Sequence, residues 1–176
     1  MSYARTNPEV SVQDEKCLEF LMRKEVLFIF QQTWKSLGEL NTIENNFPGN
    51  YLIAWTHDNL KGKMVHASDV FYVGMSNARK GLKSRLKQFL EGTNGKSGIH
   101  SGGYRFFVNY QSTSELKLEN LNKSFYFVEY RFSCNVHKDS RTAANLLVMG
   151  KVCLFEFELL AYIKDVTGKE PILNKK

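Results

Sequence analysis

The sequence predicts an α+β fold, a small mixed or antiparallel sheet flanked by helices, with a helical extension at the N-terminus. Two observations carry the prediction. Short runs of apolar, aromatic and β-branched residues read as strands, and they lie among stretches whose apolar residues recur at helical spacing, without regular strand–helix–strand alternation. The first two strand-like runs are joined by a connection that reads as a long hairpin loop, as antiparallel pairing requires.

Residues 13 to 41 open the chain with Leu18, Leu21, Met22, Val26, Phe30, Trp34 and Leu37 at helical spacing, which predicts one or two amphipathic helices. Asn45-Asn46-Phe47-Pro48-Gly49 closes this region as a turn and divides the chain into an extension, 1–47, and a main domain, 48–176. Tyr51 to Trp55 and Val70 to Val73 read as strands, joined by a loop from His57 to Asp69. From Gly81 to Glu91, Leu82, Leu86, Phe89 and Leu90 form one helical stripe. Arg85 stands about 60° from Leu82, on the shoulder of that stripe, while Lys83 and Lys87 point to solvent. Gly92 to Gly103 reads as a glycine-rich loop containing His100, and Tyr104 to Tyr110 and Phe125 to Cys134 read as two more strands. Thr142 to Lys164 is apolar at helical density, with Gly150 as a possible break, and the tail from Pro171 to Lys176 reads as extended.

Twenty-four Lys and Arg against 18 Asp and Glu give a net charge of +6, a bias towards polyanionic partners such as nucleic acid. Cys17, Cys134 and Cys153 are odd in number and contain no C-x-x-C pair, which argues against a disulfide framework or a zinc knuckle and for reduced, mostly buried thiols. The N-terminus lacks a secretory pattern, and the apolar run Val26 to Phe30 is too short to span a bilayer. The expectation is a cytoplasmic protein with no membrane contact.

Phosphate-binding P-loops, G-x-S-x-G nucleophile elbows, H-E-x-x-H zinc sites and dinucleotide-binding glycine series are all absent from the sequence. What remains is a different constellation. Gly49-Asn50-Tyr51 opens the first strand, Tyr72-Val73-Gly74 closes the second, and Leu82-x-x-Arg85-Leu86 follows on a helix. His100 comes next in a loop, then Glu156-x-x-Leu159-Leu160 on a late helix and Pro171-x-x-Asn174 at the end. In that order these elements resemble the GIY-YIG nuclease superfamily over roughly Pro48 to Asn174, most like its stand-alone restriction-type endonucleases. Asn50 stands in place of the first motif's isoleucine, and the stretch between the tyrosines, the loop before Arg85 and the span from the glutamate to Asn174 are all longer than usual. Phe89 lies near where many relatives carry a histidine.

The resemblance implies hydrolysis of DNA phosphodiester bonds with one Mg²⁺ or Mn²⁺. Tyr51 and Tyr72 would converge on the attacking water and the phosphate, with a tyrosine of lowered pKa as general base, aided by His100. Arg85 would neutralise the phosphoryl oxygens with a permanently charged fork. Glu156 would hold the metal, and Asn174 would support the site by hydrogen bonding. Two residues apart on a helix, Glu156 and Glu158 point about 200° apart, so one alone can face the site; Glu156 is favoured and Glu158 stays open. Lys80, Lys83 and Lys87 are candidates for tracking the DNA backbone, or for a solvated face. Taken singly, the tyrosines are also ordinary strand aromatics and Arg85 a snorkelling helix residue. Cleavage of both strands favours a homo-oligomer, a dimer or higher. The rival readings are a non-catalytic nucleic-acid-binding module on the same fold and a protein-interaction domain.

Overall fold

The computed structural model describes residues 24–44, 47–112 and 122–174. Residues 24–30 form a helix, α1, followed by a two-residue strand β1 (Lys35–Ser36) and a 3₁₀ turn at Leu37–Thr42. The main strands are β2 (Gly49–Thr56), β3 (Val70–Ser76) and β4 (Ser124–Arg131). The helices are α2 (Gly81–Thr93), α3 (Ser101–Phe106), which runs on into a π-helical turn at Phe107–Gln111, and α4 (Ala143–Thr167). The fold is α+β, and its four-stranded sheet, in the order β1-β4-β2-β3, is antiparallel throughout.

β2 is the central strand and is buried on both faces, as its nearly unbroken apolar run requires. Alternation sorts its side chains. Leu52 and Ala54 face a core shared with Val152, Phe155, Leu159 and Ile163 of α4, whereas Tyr51 and Ile53 face Leu82, Leu86 and Phe89 of α2 and Phe106 of α3. The sheet thus lies between α1 and α4 on one side and α2 and α3 on the other. Val26, Ile29, Phe30 and Trp34 belong to the α4-side core, so residues 24–34 share it with the strands.

A bulge interrupts the β2–β3 register: Ile53 pairs with Tyr72 and Ala54 with Val70, leaving Phe71 as the extra residue. Phe71 and Tyr72, although adjacent, consequently both pack into the α2-side core. β3 is an edge strand, and the C-terminal segment covers it. Leu173 donates its amide to the Phe71 carbonyl, and the Asn174 side chain bonds both the amide and the carbonyl of Val73 at 2.8 Å.

Several expectations are corrected. Tyr104 to Tyr110 is helical, not a strand. Its alternation of Tyr104, Phe106, Val108 and Tyr110 fits a strand period, but Phe106 and Tyr110 are also an i, i+4 pair, 5.3 Å apart, and both pack against Trp55. Trp34 and Leu37 are not in a continuing helix, because residues 32–34 pair with the Gly62–Val65 segment of the first hairpin: the Trp34 amide reaches the Lys63 carbonyl at 2.9 Å. Helical prediction for residues 13–23, Cys17, Asn45, Asn46, Lys175 and Lys176 lie outside the described residues. Helix α4 runs unbroken through Gly150, which sits on its exposed side, where no neighbour depends on a side chain. Residues 171–174 form a turn, closed by the Asn174 amide on the Pro171 carbonyl, and not an extended tail. Cys134 and Cys153 are free and half-buried, more exposed than expected. No helix among the described residues is long and apolar enough to cross a membrane.

Candidate active site

The two motif tyrosines stand on neighbouring strands with ring centroids 6.1 Å apart. Tyr51 is fully buried at the middle of the sheet. Its cross-strand partner on β3 is Gly74, where a Cβ would lie 2.5 Å from the Tyr51 hydroxyl. The glycine therefore makes room for the phenol to lie across β3. Gly102 does the same for Tyr72, because a Cβ there would meet that ring at 2.8 Å.

His100 completes the pair. It is the N-cap of α3, where its Nδ1 accepts the Gly103 amide at 3.2 Å, and its Nε2 lies 2.8 Å from the Tyr51 hydroxyl. Since an amide N–H can only donate, Nδ1 is unprotonated, and the neutral ring carries its proton on Nε2 and donates it to the Tyr51 oxygen. Neutrality is enforced: burial foremost, then the positive fields of Arg85 and Arg105, push the His100 pKa down to about 3. Phe89 underlies this arrangement, stacked on Tyr72 at 5.3 Å and edge-on to His100 at 5.3 Å. The histidine thus reaches the tyrosines over Phe89 from a neighbouring helix.

Arg85 is half-buried on α2, where its guanidinium donates to Gln88 Oε1 at 3.2 Å. Its charge is felt at Tyr51, Tyr72, His100 and Glu156, which places all four within its electrostatic reach. Glu156 comes from α4, the helix on the other side of the sheet, which packs against β3. Burial raises its pKa and Arg85 lowers it, and its own charge is felt at both tyrosines. Glu158 points elsewhere: burial and then Glu25 of α1 raise its pKa, with no influence from Arg85. Of the two glutamates, Glu156 is the one grouped with the tyrosines.

Two polar anchors hold α4 in position just before Glu156. The Asn50 amide donates to the Val152 carbonyl at 3.1 Å, and the Asn77 amide donates to the Met149 carbonyl at 2.9 Å. Asn50, which replaces a motif isoleucine, thereby ties β2 to the helix that carries the glutamate.

The tyrosines themselves correct an expectation. Neither pKa is lowered. Burial raises Tyr51 well above the usual phenol range, and the Tyr72 and Glu156 charges add to it against Arg85. Tyr72 is raised by burial and then Glu156, while Arg85, Arg105 and its contact with Tyr51 act downwards. The cations are present as expected, but desolvation outweighs them in the free chain.

Asn174 hydrogen-bonds none of these side chains. Its side chain grips the backbone of Val73, next to Tyr72, so it is a positioning residue. Lys80 and Lys87 are exposed at the start and on the outer side of α2, and Lys83 bonds the Asn41 carbonyl at 3.1 Å. Arg105 is not among the sequence candidates, because the period of Tyr104 to Tyr110 reads as a strand. Once that segment is a helix beginning at His100, Arg105 follows the N-cap by five residues, and its field reaches both Tyr72 and His100. Among the described residues no group of three or more His, Cys, Asp or Glu side chains is placed to hold a metal ion. A separate cleft of about 730 Å³ between the Ala67–Asp69 turn and the end of α4 contains none of these residues.

Comparison with protein families, curated proteins and solved structures found no match to this chain.

Proposed function

We propose that the chain is a metal-dependent endonuclease of the GIY-YIG type that hydrolyses DNA phosphodiester bonds. One observation carries this reading: Tyr51, Tyr72, Arg85, His100 and Glu156, scattered over more than a hundred residues of sequence, meet around the β3 edge in the order and on the element types of the motif. That grouping supports the resemblance independently of the residues' spacing in the sequence.

The roles follow from the geometry. Arg85 and Arg105 attract the phosphate and balance charge on its oxygens. His100, neutral and donating to the Tyr51 oxygen, turns the Tyr51 proton away from itself and towards the Tyr72 oxygen, and stabilises a phenolate at Tyr51 if that proton leaves. Tyr72, the less deeply buried phenol and the one in the field of both arginines, would act as base in its phenolate form, taking the proton of an attacking water after its own proton has passed to solvent. The free chain holds both phenols protonated, so ionisation of Tyr72 requires the Glu156 charge, which opposes it, to be neutralised, as a bound cation would do.

A divalent cation fits the donor set in a limited way. Among the described residues the Glu156 carboxylate forms no ion pair, and magnesium characteristically takes one or two carboxylates and completes its shell with water and substrate phosphate. Glu156 would be its protein ligand. When bound, the ion supplies charge stabilisation for the departing oxygen.

The raised phenols favour a second reading, a non-catalytic nucleic-acid-binding module on the same fold. Incubation of the intact chain with supercoiled plasmid and Mg²⁺ or Mn²⁺, alongside Arg85→Ala, separates them. The nuclease reading expects linear or nicked products that disappear in Arg85→Ala. Plasmid retardation without cutting under either metal overturns it and supports the binding module.

A further inference from the structure

Helix α4 carries a second apolar stripe opposite the buried one. Val152, Phe155, Leu159 and Ile163 pack against the sheet, whereas Leu147, Leu154 and Phe157 point outwards at 72%, 48% and 68% exposure. Ala143, Leu147, Gly150, Leu154, Phe157 and Ala161 follow one another at steps of four, three, four, three and four, the a/d spacing of a helix that pairs with another along its length. At 100° per residue all of them stay within about 60° of Leu154, and the exposed charges of Lys164 and Asp165 end the stripe. An exposed apolar stripe of this kind marks a contact with another protein surface.

The stripe is charged on one flank only. Over residues 143–161, Lys151 and Glu158 lie about 60° and 40° from Leu154 in the same sense, and the opposite flank carries Leu146 and no charge. Seven residues apart, the two are separated by about 10 Å of helix rise and do not meet. Among the described residues neither has a salt-bridge partner, and Glu158 stands in the field of another carboxylate, Glu25. This pattern selects the occupant. Two copies of α4 packed in parallel would bring the charged flank of each onto the uncharged flank of the other. Packed antiparallel about a two-fold axis, each flank meets itself, so Lys151 of one copy stands beside Glu158 of the second copy, and the reverse contact forms at the same time. With the axis level with the Leu154–Phe157 turn, the two charges come within about 3 Å of level along the helix. Leu154 then meets Phe157 of the second copy, and Gly150 meets its Ala161. Gly150 weakens a helix interior, and a Cβ there would touch nothing within the chain; between two helices its small size lets them close up.

We propose that the outward stripe of α4 is a dimer interface between two copies of this chain, an antiparallel helix pair in which Leu154 packs on Phe157 of the second copy and Lys151 pairs with its Glu158. Glu156 follows Leu154 by two residues, about 200° round the helix, so the pairing keeps it and the tyrosines out of the interface. This inference does not depend on the nuclease reading.

The test is sedimentation equilibrium of the full-length chain over about a hundredfold range of concentration, with circular dichroism to check that each variant keeps its helix content. The wild type passes reversibly from one chain mass to two. Leu154→Asp and Phe157→Asp, both on the solvent side of the folded chain, raise the dissociation constant by about 100-fold or more. Lys151→Glu, a surface change that leaves the apolar stripe intact, raises it by roughly tenfold or more, because two ion pairs become two like-charge contacts. Adding Glu158→Lys to Lys151→Glu brings it back towards the wild-type value, since exchanging both charges recreates both pairs. A dimer that folded Leu154→Asp leaves intact, or a charge exchange that fails to rescue, overturns the proposal. A single-chain mass at every concentration also overturns it, and leaves the stripe to a different occupant.

Discussion

The Tyr51 hydroxyl sits 2.8 Å from Nε2 of His100, and the ring is turned that way because its Nδ1 is engaged by the Gly103 amide. The contact links a strand residue to a helix N-cap 49 positions away, and it fixes both the tautomer of the histidine and the direction of the phenol's proton. The first predictions concern this pair.

Removing the Tyr51 hydroxyl leaves the buried Nε2–H of His100 without its acceptor. Tyr51→Phe should lose about 1–3 kcal/mol of stability, read by chemical denaturation. If the phenol is part of the machinery, plasmid cleavage falls by roughly 10²-fold or more in the same variant. A variant with wild-type cleavage removes Tyr51 from the reaction.

Acidification should destabilise the fold through His100. Its pKa is held near 3 in the folded chain against 6.5 when free, so the unfolded state binds the extra proton between these values. Stability is fully present above pH 6.5 and is lost as pH falls towards 3, by about 1.4 kcal/mol per unit within the window. Glu156 and Glu158, whose pKa values are raised, act in the opposite sense and lose stability as pH rises through their ionisation. Comparing Tm against pH for the wild type and His100→Gln isolates the histidine contribution; parallel curves would remove it.

Arg85 pulls down the pKa of both tyrosines. Arg85→Ala should abolish detectable cleavage, and Arg85→Lys should restore little of it, because a point charge lacks the guanidinium fork. Any residual activity in Arg85→Lys should keep its alkaline rise at the wild-type pH, because the positive charge that lowers both phenols is retained. A fully active lysine variant would show that the fork is dispensable.

The two glutamates give an internal control. Glu156→Gln should weaken activation by Mg²⁺ and also relieve the raised pKa of Tyr51 and Tyr72, since its charge opposes their ionisation. Glu158→Gln, which lies in the field of Glu25, should cleave as the wild type does. Titration of cleavage against metal concentration distinguishes them, and equal losses would contradict the assignment.

Asn174→Ala removes two hydrogen bonds to Val73 at the sheet edge. The expected loss is roughly 1–3 kcal/mol of stability. Under the proposed function its cleavage defect should be smaller than that of Tyr72→Phe, since the Asn174 side chain bonds only the strand backbone at Val73. Equal defects under conditions where both variants are folded would count against a purely positioning role.

Local periodicity was enough to read β2, β3, α2 and most of β4 and α4 from the sequence, together with Arg85 on the shoulder of its helix and the two tyrosines on paired strands. These depend on which residues alternate or recur within a few positions, and that information is carried by neighbours in the chain. The helix at Ser101–Phe106 was not legible, because its aromatics satisfy both periods and the choice was made by Trp55, which is distant in sequence. The tertiary structure also decided which glutamate faces the tyrosines, gave His100 its tautomer and kept both phenols protonated. Each of those outcomes is a balance between burial and charges brought together from separate elements, and no spacing of residues along a chain encodes how much water is left around a hydroxyl.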